Sequence, residues 1–137
     1  MIPALSTALS GMQAATARLA ASASNVANVR STGPLPAAEP GVPPADGRRA
    51  YVPVDVVQRG DPSGGVATAY APRRPAHVPE YAPGSPDADE RGFVAAPNVD
   101  LAAEAVSRIE ALLAFKANAA VARTVDRMVE STLDLTA

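Results

Sequence analysis

The sequence predicts a mainly α chain: an antiparallel, coiled-coil-like hairpin of N- and C-terminal helices, with a small proline-rich middle segment that is partly β or irregular. Three observations predict it. After Pro97 there is no proline or glycine, and apolar or small side chains recur every three or four residues from Val99 to Leu135, the period of one long helix. The first thirty residues carry a second period of this kind. Thirteen of the fourteen prolines lie between Pro34 and Pro97, which makes the middle a different object from either end. The expected divisions are therefore 1–33 for the N-terminal helix, 34–97 for the middle segment with short strands, and 98–137 for the long C-terminal helix.

In the N-terminal helix Leu5, Leu9, Met12, Thr16, Leu19, Ala23 and Val26 alternate at spacings of four and three, three heptads of a coiled-coil seam. Pro3 stands where a first-turn proline is tolerated. Gly11 costs a helix up to about 1 kcal/mol relative to alanine, and Ser22, Ser24, Asn25 and Asn28 weaken the last turns, so this helix is marginal alone. Gly33-Pro34 is a stop. Residues 34–50 read as an extended or disordered linker. Tyr51 to Gln58 alternates as a short strand that Pro53 confines to an edge, and Gly64-Gly65 turns into a second strand, Val66 to Tyr70. Arg73, Arg74 and His77, among prolines, read as solvated loop residues.

Asp87, Asp89 and Glu90 form an acidic cluster, but the spacing lacks the glycine and the bidentate glutamate of a calcium loop. Asp87 and Asp89 are expected to order the loop that leads into the long helix. Asn98 or Asp100 caps that helix and Glu104 falls in its early turns, where acid suits the helix dipole. Residues 99–135 would span about 55 Å at about 1.5 Å per residue, and only the first thirty residues are long enough to lie against them. Beside the stripe containing Ile109, Leu113, Val121, Val125 and Met128 runs a second one containing Leu101, Leu112, Phe115, Ala122 and Val129. An apolar face this wide exceeds the seam of a two-stranded coil and leaves surface for neighbours.

Composition excludes more than it specifies. Thirty-one alanines, two phenylalanines and no tryptophan imply thin, closely packed helices rather than a thick core. Twelve basic against fourteen acidic residues, without clustering, call for no nucleic acid. There is no cysteine and a single histidine, His77, so neither zinc nor thiolate chemistry is expected. Nor does any phosphate loop or rigidly held triad appear; no enzyme activity, cofactor, catalytic residue or small-molecule substrate is expected. The N-terminus does not read as a Sec signal peptide.

Several stretches are similar to a known family. At the N-terminus these are Ala8-Leu9-Ser10-Gly11-Met12-Gln13-Ala14, Arg18-Leu19, Ala23-Ser24-Asn25-Val26-Ala27-Asn28-Val29 and Ser31-Thr32-Gly33. Further on they are Tyr81, Pro83-Gly84-Ser85-Pro86-Asp87-Ala88-Asp89, Gly92-Phe93-Val94, Pro97-Asn98-Val99-Asp100 and Glu104. Ala117-Asn118-Ala119-Ala120-Val121, Met128-Val129 and Thr132-Leu133-Asp134-Leu135 complete the set. They resemble the bacterial flagellar basal-body rod proteins, over about two thirds of the chain, and within that family the proximal-rod type most closely. The Ser-Asn-Val-Ala-Asn run marks the axial superfamily at large, whereas the 81–104 stretch is narrower. The chain departs from the family at Leu35 to Arg49, where a threonine-rich turn and strand opening are usual, and at Ser85 and Phe93.

The resemblance implies a structural rod subunit that assembles helically and transmits torque. Its implied partners are copies of itself and other rod proteins, basal-body ring and export-gate components, and the flagellar type III export apparatus, through which it would pass without a cleaved Sec signal to the periplasmic rod. Leu5, Leu9, Met12, Leu19 and Val26 are then expected to face Ile109, Leu113, Val121, Val125 and Met128, with Asn25, Asn28 and Asn118 fixing register or assembly. Two rivals stand beside it: a soluble chaperone or adaptor with an exposed helix, which shares the amphipathic ends but leaves the Tyr81 to Asn98 segment unexplained, and another axial rod or hook component, which would share the N-terminal run but should have a longer middle.

Overall fold

The computed structural model describes residues 3–36, 48–62 and 64–134. Most of the linker expected over 34–50, and Leu135, lie outside the described residues. The fold is predominantly helical, with a small antiparallel-strand region between two helices. Helix α1 spans Pro3–Ala27 and α2 spans Leu101–Asp134. Asp100 starts α2 by accepting the amides of Ala102 and Ala103 at 2.8 and 3.2 Å, which satisfies donors that the first turn leaves free. No helix among the described residues is long and apolar enough to cross a membrane.

Four strands occupy the middle: β1 Val54–Gly60, β2 Val66–Pro72, β3 His77–Tyr81 and β4 Phe93–Pro97. They make two separate antiparallel hairpins, β1 with β2 and β3 with β4, in registers that pair Val57 with Ala69 and Pro79 with Ala95. Proline-rich sequence hides β3 and β4 from a search for alternation. Pro79 and Pro97 still fit, because two-stranded sheets consist of edges only, where a missing amide is tolerated.

The first hairpin lies along α1. Its seven-residue strand β1 extends about 23 Å at about 3.3 Å per residue, which matches about 22 Å of helix between Ser10 and Asn25 at about 1.5 Å per residue. Hydrogen bonds pin both ends. Val54 N donates to Asn25 Oδ1 at 3.0 Å, and Val66 N donates to Ser10 Oγ at 3.1 Å. Gly65, with φ +94°, brings the turn against Ser10 in a backbone state that disfavours a side chain, and a Cβ there would lie 2.3 Å from Ser10 Oγ.

The second hairpin meets the end of α1 through Gly33, whose N–H and C=O exchange bonds with Ala95 at 3.1 and 2.8 Å. Val94, Ala95 and Ala96 are buried there. In its connection, 82–92, Asp89 Oδ1 accepts Phe93 N at 2.8 Å and Arg91 N at 2.9 Å. The Phe93 amide, with help from the Arg91 side chain, holds this carboxyl below its usual range. Asp87 lies 3.4 Å from Arg48.

Among the named elements α2 packs only against α1. The residues buried between them are small: Ala8, Ala15 and Ser22 on α1, at intervals of seven, and Ala111 on α2, with Glu104 and Val125 seven before and fourteen after it. Gly11 lies directly against Asn118, which sits between Ala111 and Val125 at the same interval. The buried residues of α1 are Ala8, Ala14, Ala15, Ala21, Ser22 and Asn25; none belongs to the expected stripe, and Ala8, Ala15, Ser22 and Asn25 each fall one residue before one of its positions. One residue is a rotation of about 100°. Alanine, glycine and serine win the seam because interaxial distance is set by the side chains at the contact, and the bulkier leucines would hold the helices apart.

Candidate assembly site

Two features could do work: a buried polar hub where the ends meet, and a long apolar face left open. The hub forms because the last turns of α1 carry Ser22 and Asn25, which Sequence spacing alone assigns to a weak helix end. Asn25 is 1% exposed. Its amide donates to Val54 O at 2.9 Å and Glu104 Oε1 at 3.0 Å, while its Oδ1 accepts Val54 N at 3.0 Å and Tyr51 OH at 3.1 Å. Ser24 Oγ also bonds the Tyr51 hydroxyl at 2.9 Å, and Ser22 Oγ donates to the Glu104 carbonyl at 3.2 Å.

Glu104, 3% exposed, takes its second donor from Arg73 NH2 at 2.9 Å. Arg73 stands just beyond β2 and also reaches Asp55 of β1 at 2.6 Å and the Asn98 carbonyl at 3.1 Å. The hydrogen bond to Asp55, against some desolvation and with a further bond to Glu104, raises the guanidinium pKa further. Arg73 is therefore not the solvated loop residue expected from its proline-rich neighbourhood. The signal available was a long-range one: an acid in the first turns of α2 that α1 would cover needs a cation, but the middle segment offers six arginines, among which spacing does not choose.

The open face belongs to α2. Ile109 is 59% exposed, Leu113 60% and Met128 66%, and Leu101, Val106, Leu112, Phe115 and Val121 are also exposed. At 100° per residue, Val106, Ile109, Leu113 and Ala120 lie on the side of α2 opposite Ala111. Lys116 and Arg127 fall on the same side at this spacing, so the open face is apolar chiefly in the turns from Val106 to Leu113.

The remaining expected site residues divide as follows. Val125 is in the seam; Leu5, Met12 and Val26 are half-buried; Leu9 and Leu19 are exposed within the single chain. Asn28 bonds only locally, donating to Ser24 O at 2.9 Å and accepting Ser31 Oγ at 3.2 Å. Asn118 donates to Ala114 O of its own helix at 2.8 Å while packing on Gly11. The structure thus gathers Asn25 and Glu104 from the two ends, and leaves Leu9, Leu19 and most of the large side chains of α2 outward.

Family models match both ends of the chain. Residues 5–34 match the model described as flagella basal body rod protein, and residues 90–135 the one described as flagellar basal body rod FlgEFG protein C-terminal. Among curated proteins, the flagellar basal-body rod protein FlgC of Salmonella typhimurium is 37% identical over 130 residues, covering 92% of this chain and 90% of the relative. The chain belongs to the FlgC family. The FlgC proteins of Agrobacterium fabrum, 35% identical over 130 residues, and Yersinia enterocolitica, 37% over 134, cover 92% of this chain and 88% and 90% of their own lengths. Membership makes the chain a structural subunit of the proximal rod of the bacterial flagellar basal body, and not an enzyme. FlgC-family identity also places its assembly among other flagellar basal-body components.

Proposed function

We propose that this rod subunit builds its own core as an antiparallel, coiled-coil-like helical hairpin and spends its large apolar side chains on neighbouring subunits. The observation that carries this is the disposition of α2: within 34 residues, the chain buries Glu104, Ala111 and Val125, and leaves Ile109, Leu113 and Met128 outward. Contacts support the antiparallel sense, since Ser22 meets Glu104 early in α2 and Gly11 meets Asn118 later. Leu5, Leu9, Met12, Leu19 and Val26 of one subunit then meet Ile109, Leu113, Val121 and Met128 of another, with Asn118 and Gly11 setting close helix approach and Asn25 the register.

The neighbours are copies of the chain, other rod proteins, and ring and export-gate components at the rod base. Stacked helically, they carry torque outward. The divisions 1–33, 34–97 and 98–137 serve as helical core, middle segment and helical core. A core of alanine seams is only marginally stable, which suits a chain that passes the type III apparatus unfolded, without a cleaved Sec signal, and gains stability on joining its neighbours.

Ile109→Ser with Leu113→Ser tests this. The double variant should keep the circular dichroism of the natural chain, because both side chains are exposed in the single subunit, yet its recovery in purified basal bodies should fall at least about tenfold, given about 1.5–3 kcal/mol for each buried large side chain. Normal recovery would remove the α2 face from the interface.

A further inference from the structure

We propose that the Arg73–Glu104 pair is an assembly latch that makes closure of the helix pair conditional on docking of the β1–β2 hairpin. Glu104 is carried by α2, and its Oε1 is met from two directions, by Asn25 of α1 and by Arg73 at the end of the hairpin. Of these two donors only Arg73 brings positive charge. A carboxylate shut away from water without its cation is strongly disfavoured, so α1 covers Glu104 once Arg73 is in place.

The cation is prepared on the hairpin itself. Arg73 N donates to Pro53 O at 2.8 Å, beside the start of β1, and its guanidinium is held by Asp55 of the same strand at 2.6 Å. A folded hairpin thus presents Arg73 already aimed. Asn25 then reads the hairpin through both backbone groups of Val54 while donating to Glu104, so one amide senses hairpin and α2 together. The pieces come from three parts of the chain, residues 22–25, 53–73 and 98–104, and none completes the site alone. Arg18, Ser107 and Glu110 line the rest of the same cavity of about 310 Å³, but among the described residues the ion pair of Glu104 is with Arg73. The order that follows is hairpin first and helix closure last, which keeps the two helix ends apart until the middle segment has folded.

The test uses bacteria that lack the natural gene and produce the full chain, its Arg73→Gln variant, its Glu104→Gln variant, or both changes together, and measures the chain recovered in purified basal bodies. Arg73→Gln should lower recovery at least about tenfold, since it strands a buried charge. Glu104→Gln should lower it far less, because Arg73 keeps Asp55. The double variant should recover to within about twofold of the Glu104→Gln level, since no unpaired buried charge remains. That rescue separates a latch from ordinary packing, where the second change would add to the first. Natural recovery for Arg73→Gln, or a double variant no better than Arg73→Gln, would overturn the proposal.

Discussion

Gly33→Ala should destabilise the chain by about 3 kcal/mol, the upper end of what overpacking usually costs, and abolish swimming. A Cβ at this position would stand 2.3 Å from Ala50 N and 2.7 Å from the Arg49 carbonyl carbon. Both obstacles are backbone, so no side chain can swing away. The segment around Ala50 is itself tied down by Tyr51 N donating to Ser31 O at 2.9 Å, and Gly33 by its two bonds to Ala95. Relief therefore has to break either the junction of α1 with the β3–β4 hairpin or the entry into β1. Thermal unfolding of the variant, compared with Gly84→Ala, where a Cβ meets nothing within 4 Å, measures the effect. Equal loss at both positions would refute the close-approach explanation.

Asn25→Asp should be as damaging or worse, about 3–5 kcal/mol, the cost of leaving a buried charge uncompensated. The substitution preserves shape and changes one donor group into an acceptor. That atom faces Val54 O at 2.9 Å and Glu104 Oε1 at 3.0 Å, so two attractive contacts become repulsive and a second carboxylate enters the hub. Asn28→Asp in the same Ser-Asn-Val-Ala-Asn run is the control. Its amide donates only to Ser24 O of the same turn, and the change should stay within about 1 kcal/mol. Unfolding curves and motility halos of the two variants should diverge sharply; similar behaviour would mean that Asn25 is an ordinary helix-end amide.

Local signals made the ends legible and long-range ones hid the site. The two helices announce themselves through period and through the absence of Gly and Pro after Pro97. The cap was narrowed to Asn98 or Asp100, of which the structure uses Asp100, and the acid at Glu104 was placed in the early turns of α2. What periodicity could not give was phase. Leu5, Leu9, Met12 and Leu19 make the better-looking stripe because they are large, yet the stripe of Ala8, Gly11, Ala15 and Ser22 wins within the chain because smallness lets the axes approach. Hydrophobicity identifies a face; it does not say which chain covers it. The hub failed to show for a different reason. Arg73 reads as a loop residue between Pro72 and Pro75, and its partners lie 18 and 31 positions away, a distance at which sequence spacing carries no information about contact. The β3–β4 hairpin was masked by the very prolines that edge strands tolerate.

The division of labour between small inward and large outward side chains is best tested by one thiol. The chain has no cysteine, so Leu113→Cys introduces a single reactive group on the side of α2 opposite Ala111. Maleimide labelling of that thiol should be rapid in the purified chain and at least about tenfold slower in intact basal bodies, where a neighbouring subunit covers it. Equal labelling in both states would contradict the assignment of this face to subunit packing.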